Sequence, residues 1–175
     1  MSHEVWLITG IPGAGKTTLA KALASTWDRG AHIEGDQLQE WIMAGAIGPG
    51  EEPSAESDRQ IRLSIRNQCL LASSFTGAGI SVVLDYVIVS KEMLLAYREQ
   101  LPDQEVFLVV LSPGIETALQ RDARRPEKTV AEQWSHLEPQ IKRELTDVGL
   151  WIDNALLTLA ETVALVHGRK AEARL

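Results

Sequence analysis

The chain has 175 residues, 45% hydrophobic and 23% charged, which suits one soluble globular domain with a sizeable core. Its formal net charge of -7 and pI near 5.1 argue against duplex nucleic acid as the main partner, because phosphate backbones need a basic face. A small anionic ligand is still compatible, since it needs only a few local cations.

The first residues, Met1-Ser2-His3-Glu4, lack the basic-then-apolar pattern of a signal peptide. No apolar run is long enough to span a bilayer, so the expected location is the cytoplasm and no membrane partner is expected. Val5 to Thr9 reads as a strand buried on both faces, ending at Gly10. A helix follows from about Lys16 to Trp27. His32-Ile33-Glu34 reads as a second strand, and Gly35 turns the chain into a helix through Leu38, Trp41 and Ile42. Gly45 to Ser54 is rich in glycine and proline and reads as a mobile loop. A long helix is predicted from about Ser57 to Phe75, with Ile61, Ile65, Cys69 and Ala72 on one face. Cys69, the only cysteine, permits no intrachain disulfide and reads as a core residue.

Ile80 to Leu84 is a third apolar strand, ending at Asp85. Lys91 to Leu101 reads as a helix and Val106 to Leu111 as a fourth strand. A helix from about Ile115 runs into the basic segment Arg121 to Arg125 and stops at Pro126. Another covers roughly Val130 to Asp147, kinked or divided at Pro139. Leu150 to Ile152 is a short fifth strand, Thr158 to His167 a last helix, and Arg169 to Leu175 a frayed tail. Strands alternating with helices imply a parallel sheet covered on both faces, with ligands at the carboxyl ends of the strands. Gly10, Asp36 and Asp85 all fall there.

Gly10-Ile11-Pro12-Gly13-Ala14-Gly15-Lys16-Thr17 matches the phosphate-binding pattern G-x-x-x-x-G-K-[ST] between a buried strand and a helix. Background composition gives such a match by chance in roughly one chain of this length in 200. The glycines allow successive N–H groups to converge on one anion, and the helix N-terminus adds its positive dipole end. Lys16 would reach the β- and γ-phosphates of ATP, and the Thr17 hydroxyl would ligate Mg2+.

Asp36 is the candidate to orient or deprotonate an acceptor hydroxyl, with Glu34 second; the competing role for Asp36 is a helix N-cap. Val82 to Asp85 resembles a Walker-B strand, whose acid holds Mg2+; Asp85 could instead face the acceptor, with Tyr86 on the same rim. Trp41 is either a wall of the acceptor pocket or core. Arg121 and Arg125 read as lid arginines closing on ATP, against a solvated helix end. Arg59, Arg62 and Arg66 share one helical stripe, which is either salt-bridged surface or an anion reader. His3, His32, His136 and His167 show no ligand spacing.

The chain resembles the small P-loop kinases over nearly its whole length. The matching residues are Gly10 to Thr18, Glu34-Gly35-Asp36, Val83-Leu84-Asp85, Arg121-Asp122-x-x-Arg125 and Trp151 to Asn154. It is most similar to the gluconate kinase, shikimate kinase and chloramphenicol phosphotransferase group. That resemblance implies a three-layer α/β/α domain with a five-stranded parallel sheet in the order 2-3-1-4-5. It implies an acceptor-side segment at about 36–76, a lid at about 121–130, and transfer of the ATP γ-phosphate to a small-molecule hydroxyl. It places an acid like Asp36 at the acceptor, arginines like Arg121 and Arg125 in the lid, and the segment near Asp153 beside the adenine. With the residue readings above, the expected nucleotide set is Gly10, Pro12 to Thr18, Arg121 and Asp153, and the expected acceptor set is Asp36, Trp41, Arg62, Asp85 and Tyr86. A monomer or homodimer is expected. In shikimate kinases a glycine-rich acceptor motif follows the third strand; Asp85-Tyr86-Val87 stands there instead. The competing functions are a nucleotide hydrolase or switch, a nucleoside, nucleotide or polynucleotide 5′-end kinase, and a non-catalytic nucleotide-binding module. A GTPase would need an N-K-x-D motif, and the chain has none.

Overall fold

Residues 3–124 and 131–175 are described by a computed structural model. The strands are β1 (Glu4–Thr9), β2 (Gly30–Glu34), β3 (Ser81–Asp85), β4 (Glu105–Leu111) and β5 (Leu150–Ile152). They form one sheet in the order β2-β3-β1-β4-β5, every pair parallel. This is the order that the resemblance to small P-loop kinases implies. The central strands carry unbroken apolar runs, Val5 to Ile8, Val82 to Leu84 and Val106 to Leu111, because helices cover both faces. Val5 to Ile8 are at most 1% exposed, and Trp6 stacks on Phe107 of the neighbouring strand at 4.5 Å. Such a pair contributes about 0.5–1.5 kcal/mol beyond its buried area.

The helices are α1 (Lys16–Ala24), α2 (Gly35–Glu40), α3 (Ser54–Gly77), α4 (Lys91–Gln100), α5 (Ile115–Ala123), α6 (Ala131–Trp134), α7 (Leu137–Leu145), α8 (Leu159–Gly168) and α9 (Lys170–Ala173). The register puts Ile8 opposite Asp85, and Asp85 opposite Glu34. The ends of β1, β3 and β2 therefore meet at one rim, beside the point where the strand order reverses.

Three boundaries differ from the sequence reading. α1 stops at Ala24 instead of reaching Trp27, because Ser25 and Thr26 turn their hydroxyls back onto the carbonyls of Lys21 and Leu23. The helix expected over 130–147 is divided at Ser135 and His136, not at Pro139. Pro139 lies in the first turn of α7, where a missing N–H costs no intrahelical bond. The tail is helical, not frayed. Ala173 is fully buried, Lys170 pairs with Glu4, Arg174 pairs with Glu105, and the Leu175 N–H donates to the Val106 carbonyl.

The loop after α2, expected to be mobile, is fastened to α3. Gln60 accepts from the Ile47 N–H and donates to the Gly45 carbonyl, and Ser57 donates to the Gly48 carbonyl. Among the described residues no helix is long and apolar enough to cross a membrane.

Candidate functional site

The loop from Gly10 to Gly15 leaves β1 and enters α1. Gly10, Gly13 and Gly15 have φ of 143°, 83° and 98°, values that side-chain-bearing residues rarely adopt. Space is equally restrictive at Gly13, where a Cβ would lie 2.2 Å from the Ala118 carbonyl oxygen of α5. The loop is thus wedged between α1, β4 and α5. Gly13→Ala is expected to destabilise the nucleotide-free protein by about 1–3 kcal/mol, from strain and overpacking together. Urea unfolding measures this, and a loss below about 0.5 kcal/mol would contradict the close approach.

The N–H groups of Gly13 and Gly15 donate to no acceptor among the described residues. The first N–H groups of α1 have no intrahelical partner either. A glycine-rich loop that ends at a helix N-terminus makes an anion cradle. Lys16 is 9% exposed and its ammonium donates to the Ile11 carbonyl at 3.3 Å, so its charge lies along the loop.

Beside the cradle, the Thr17 hydroxyl donates to Asp85 Oδ2 at 2.5 Å, and His32 Nε2 lies 2.8 Å from Asp85 Oδ1. Strand alternation explains the meeting. His32 pairs with Val83 in register, so His32 and Glu34 share a sheet face with Val83 and Asp85. A hydroxyl and a carboxylate at this spacing suit Mg2+, which prefers one or two protein oxygens and completes its shell with phosphate and water. Among the described residues no group of three or more His, Cys, Asp or Glu could form a dedicated metal cage.

Asp36 is the second residue of α2; the N-cap position is Glu34, whose side chain makes no cap bond. Asp36 is exposed, yet its carboxyl is held above its ordinary value. Surrounding protein is the main cause, Asp85 and Glu40 add repulsion, and Lys16 opposes. Glu34 is also raised, by burial first and by Asp85 next, with Lys21 and His32 opposing. A carboxyl raised on folding makes the native state bind more protons than the unfolded chain. Stability is then lost as pH rises from the ordinary carboxylate range through the raised folded value. Asp36→Asn is therefore expected to raise the unfolding temperature at pH 7, with the gain vanishing below the ordinary value. A variant less stable than wild type at pH 7 would contradict this.

The other sequence candidates have the following surroundings. Tyr86, expected on the rim, is 4% exposed and turned inward, its hydroxyl on Gln39 Oε1 at 3.1 Å. Trp41 is 68% exposed. α3 turns Ser57, Gln60, Ser64 and Gln68 inward, while Arg59, Arg62 and Arg66 are exposed and Arg59 pairs with Glu56. The Arg121 guanidinium donates to the carbonyls of Asn154 (2.7 Å), Ala155 (3.3 Å) and Ala14 (3.4 Å). It ties the phosphate loop to the loop after β5, where Asn154 also donates to Ala14. Asp153 is exposed and accepts from the Ala155 N–H. Pro12 is half-buried and Thr18 exposed. Arg125 and the rest of the expected lid to Val130 lie outside the described residues. His32 is the site residue that sequence reasoning passed over. Its one signal was a place on a strand two residues before Glu34.

A parallel sheet in this order, with a glycine-rich phosphate loop after β1, is a P-loop kinase-like fold. The chain belongs to the AAA domain family, whose model matches residues 5–143. No curated protein matches it. Among solved structures it is similar to a sugar kinase from Janibacter sp. HTCC2649, with TM-score 0.70 and 16% identity over 98% of this chain and 96% of that one. It is similar to the Mycobacterium tuberculosis APS kinase CysC in complex with AMPPNP and APS, with TM-score 0.70 and 18% identity over 95% and 96%. A gluconokinase from Sinorhizobium meliloti 1021 has TM-score 0.67 and 18% identity over 97% and 93%. At these identities the likeness is one of fold.

Proposed function

We propose that the protein is an ATP-dependent phosphotransferase that moves the γ-phosphate to a hydroxyl of a small molecule, such as a sugar acid, an antibiotic or a similar metabolite. The observation that carries this reading is the position of Asp36. It lies on the rim beside the phosphate loop, close enough for its carboxyl to feel the Lys16 charge. A passive nucleotide sensor has no need of such an acid, whereas a kinase must orient an acceptor hydroxyl there; a hydrolase would use it on water, which the acceptor dependence of ADP release distinguishes.

In this reading the N–H groups of Gly13 to Thr17 hold the β- and γ-phosphates, and Lys16 balances charge on the oxygens of the transferred group. Thr17 and Asp85 would hold Mg2+, which would supply positive charge against the phosphates. Asp36 accepts the proton of the acceptor hydroxyl. The acceptor oxygen bonds to the γ-phosphorus, the bond from that phosphorus to the bridging oxygen breaks, and ADP leaves with the electron pair. Arg121 keeps the phosphate loop joined to the loop after β5, which with Asp153 forms the adenine side. The raised carboxyl of Asp36 makes it a stronger proton acceptor than an ordinary Asp, and the proton that it takes passes to solvent after transfer.

A panel of hydroxyl-bearing compounds, screened by differential scanning with MgADP present, tests the reading. A true acceptor at 100 times its dissociation constant adds about 2.7 kcal/mol of stability. A compound that stabilises the protein in this way must also be phosphorylated when MgATP replaces MgADP. Stabilising compounds that are never phosphorylated would argue for a binding module.

A further inference from the structure

The geometry points to His32 as a positioning residue that fixes the Asp85 carboxylate for the magnesium side of the site. This deepens the proposed nucleotide reading and rests on it. Three side chains form a line across the rim: His32 from β2, Asp85 from β3 and Thr17 from α1. The side chain of Asp85 is 2% exposed and that of His32 14%. A carboxylate only accepts hydrogen bonds, so Nε2 of His32 carries the proton that it donates to Oδ1. Oδ2 is then left to Thr17 and, with nucleotide bound, to the metal shell.

Without the imidazole, the buried carboxylate could rotate about its last bond and offer either oxygen or neither. The backbone does not prevent this, because Asp85 is the last residue of β3. His32 holds its own direction through the register of β2 on β3, which is set before any ligand arrives. Residues that orient a metal ligand from behind are worth about 10–100-fold in metal affinity. Glu34 lies on the same face and its carboxyl feels both His32 and Asp85. It carries no donor, so it cannot replace the imidazole.

The test is calorimetric titration with ADP, with and without Mg2+, of wild type, His32→Ala and His32→Gln. Gln keeps an N–H donor at nearly the reach of Nε2. The quantity read is the factor by which magnesium strengthens ADP binding. His32→Ala should reduce that factor by about 10–100-fold and leave metal-free ADP binding within about twofold. His32→Gln should recover most of it. An unchanged factor in His32→Ala overturns the inference, as does an equal loss with and without magnesium, since that means support of the phosphate loop alone. If His32→Ala is too unstable to titrate, His32→Phe fills the space without a donor and faces the same two outcomes. Wild-type binding of ADP that ignores magnesium would overturn the metal reading of Asp85 itself. No acceptor enters this titration, so its failure is separate from failure of the phosphotransfer reading.

Discussion

Lys16→Ala is expected to remove most of the thermal stabilisation that MgATP gives the wild-type protein. At 100 times its dissociation constant, a ligand stabilises by about 2.7 kcal/mol. For a domain of this size that corresponds to a rise in Tm of roughly 5–11 °C, at 2–4 °C per kcal/mol. The wild type should show a shift of this size at the appropriate concentration. At the same MgATP concentration the variant should show almost none. The reason lies in where the ammonium sits. Lys16 is nearly buried along the loop, held by the Ile11 carbonyl, so its charge meets the phosphates with little water between them. Thr17→Ala should lose less, because the backbone donors and Lys16 remain. The apo fold should tolerate both changes, since the glycines shape the loop. Equal MgATP affinity in wild type and both variants would remove the phosphate site from Gly10 to Thr17.

Asp36→Asn is the second change with a large expected effect. Nucleotide binding should remain nearly normal, while transfer to an acceptor falls about 10²- to 10⁴-fold, the usual contribution of a general base. A loose phosphoryl-transfer transition state needs little help from a base, which favours the lower end. Asn keeps the size of the side chain and one acceptor oxygen. Asp36 is not the N-cap of α2, so no cap is lost in the exchange. The wild-type kcat/KM should fall on acidification with a pKa above the ordinary value for Asp, because the Asp36 carboxyl is raised. The variant should lack that limb. A variant with normal turnover would shift the acceptor-binding role to Asp85 or Glu34.

The sheet was legible because β1, β3 and β4 are buried on both faces and must be written as unbroken apolar runs. The phosphate loop was legible because its glycines are demanded by backbone angles and by the approach of Ala118. The His32 contact was not, since it depends on the register of two strands, and a lone histidine has no local signature. Tyr86 follows Asp85 directly, and alternation sends the two side chains opposite ways, so the tyrosine turns to Gln39 while the acid stays on the rim. The tail from Arg169 looks like solvated charge in sequence. Its cations find carboxylates on Glu172, Glu4 and Glu105, and Ala173 is the residue that is buried. Arg121 carried a lid-like pattern, but a guanidinium has five donors, and three carbonyls of two neighbouring loops satisfy part of them.

The most direct measurement follows the phosphorus of ATP by phosphorus NMR, in the presence and absence of an acceptor that stabilises the MgADP-bound protein. ADP and a new phosphomonoester signal should appear together and in equal amounts, only with the acceptor present and only with Asp36 and Lys16 intact. Inorganic phosphate released at the same rate with and without acceptor, and no phosphomonoester, would contradict phosphotransfer and make the protein a hydrolase.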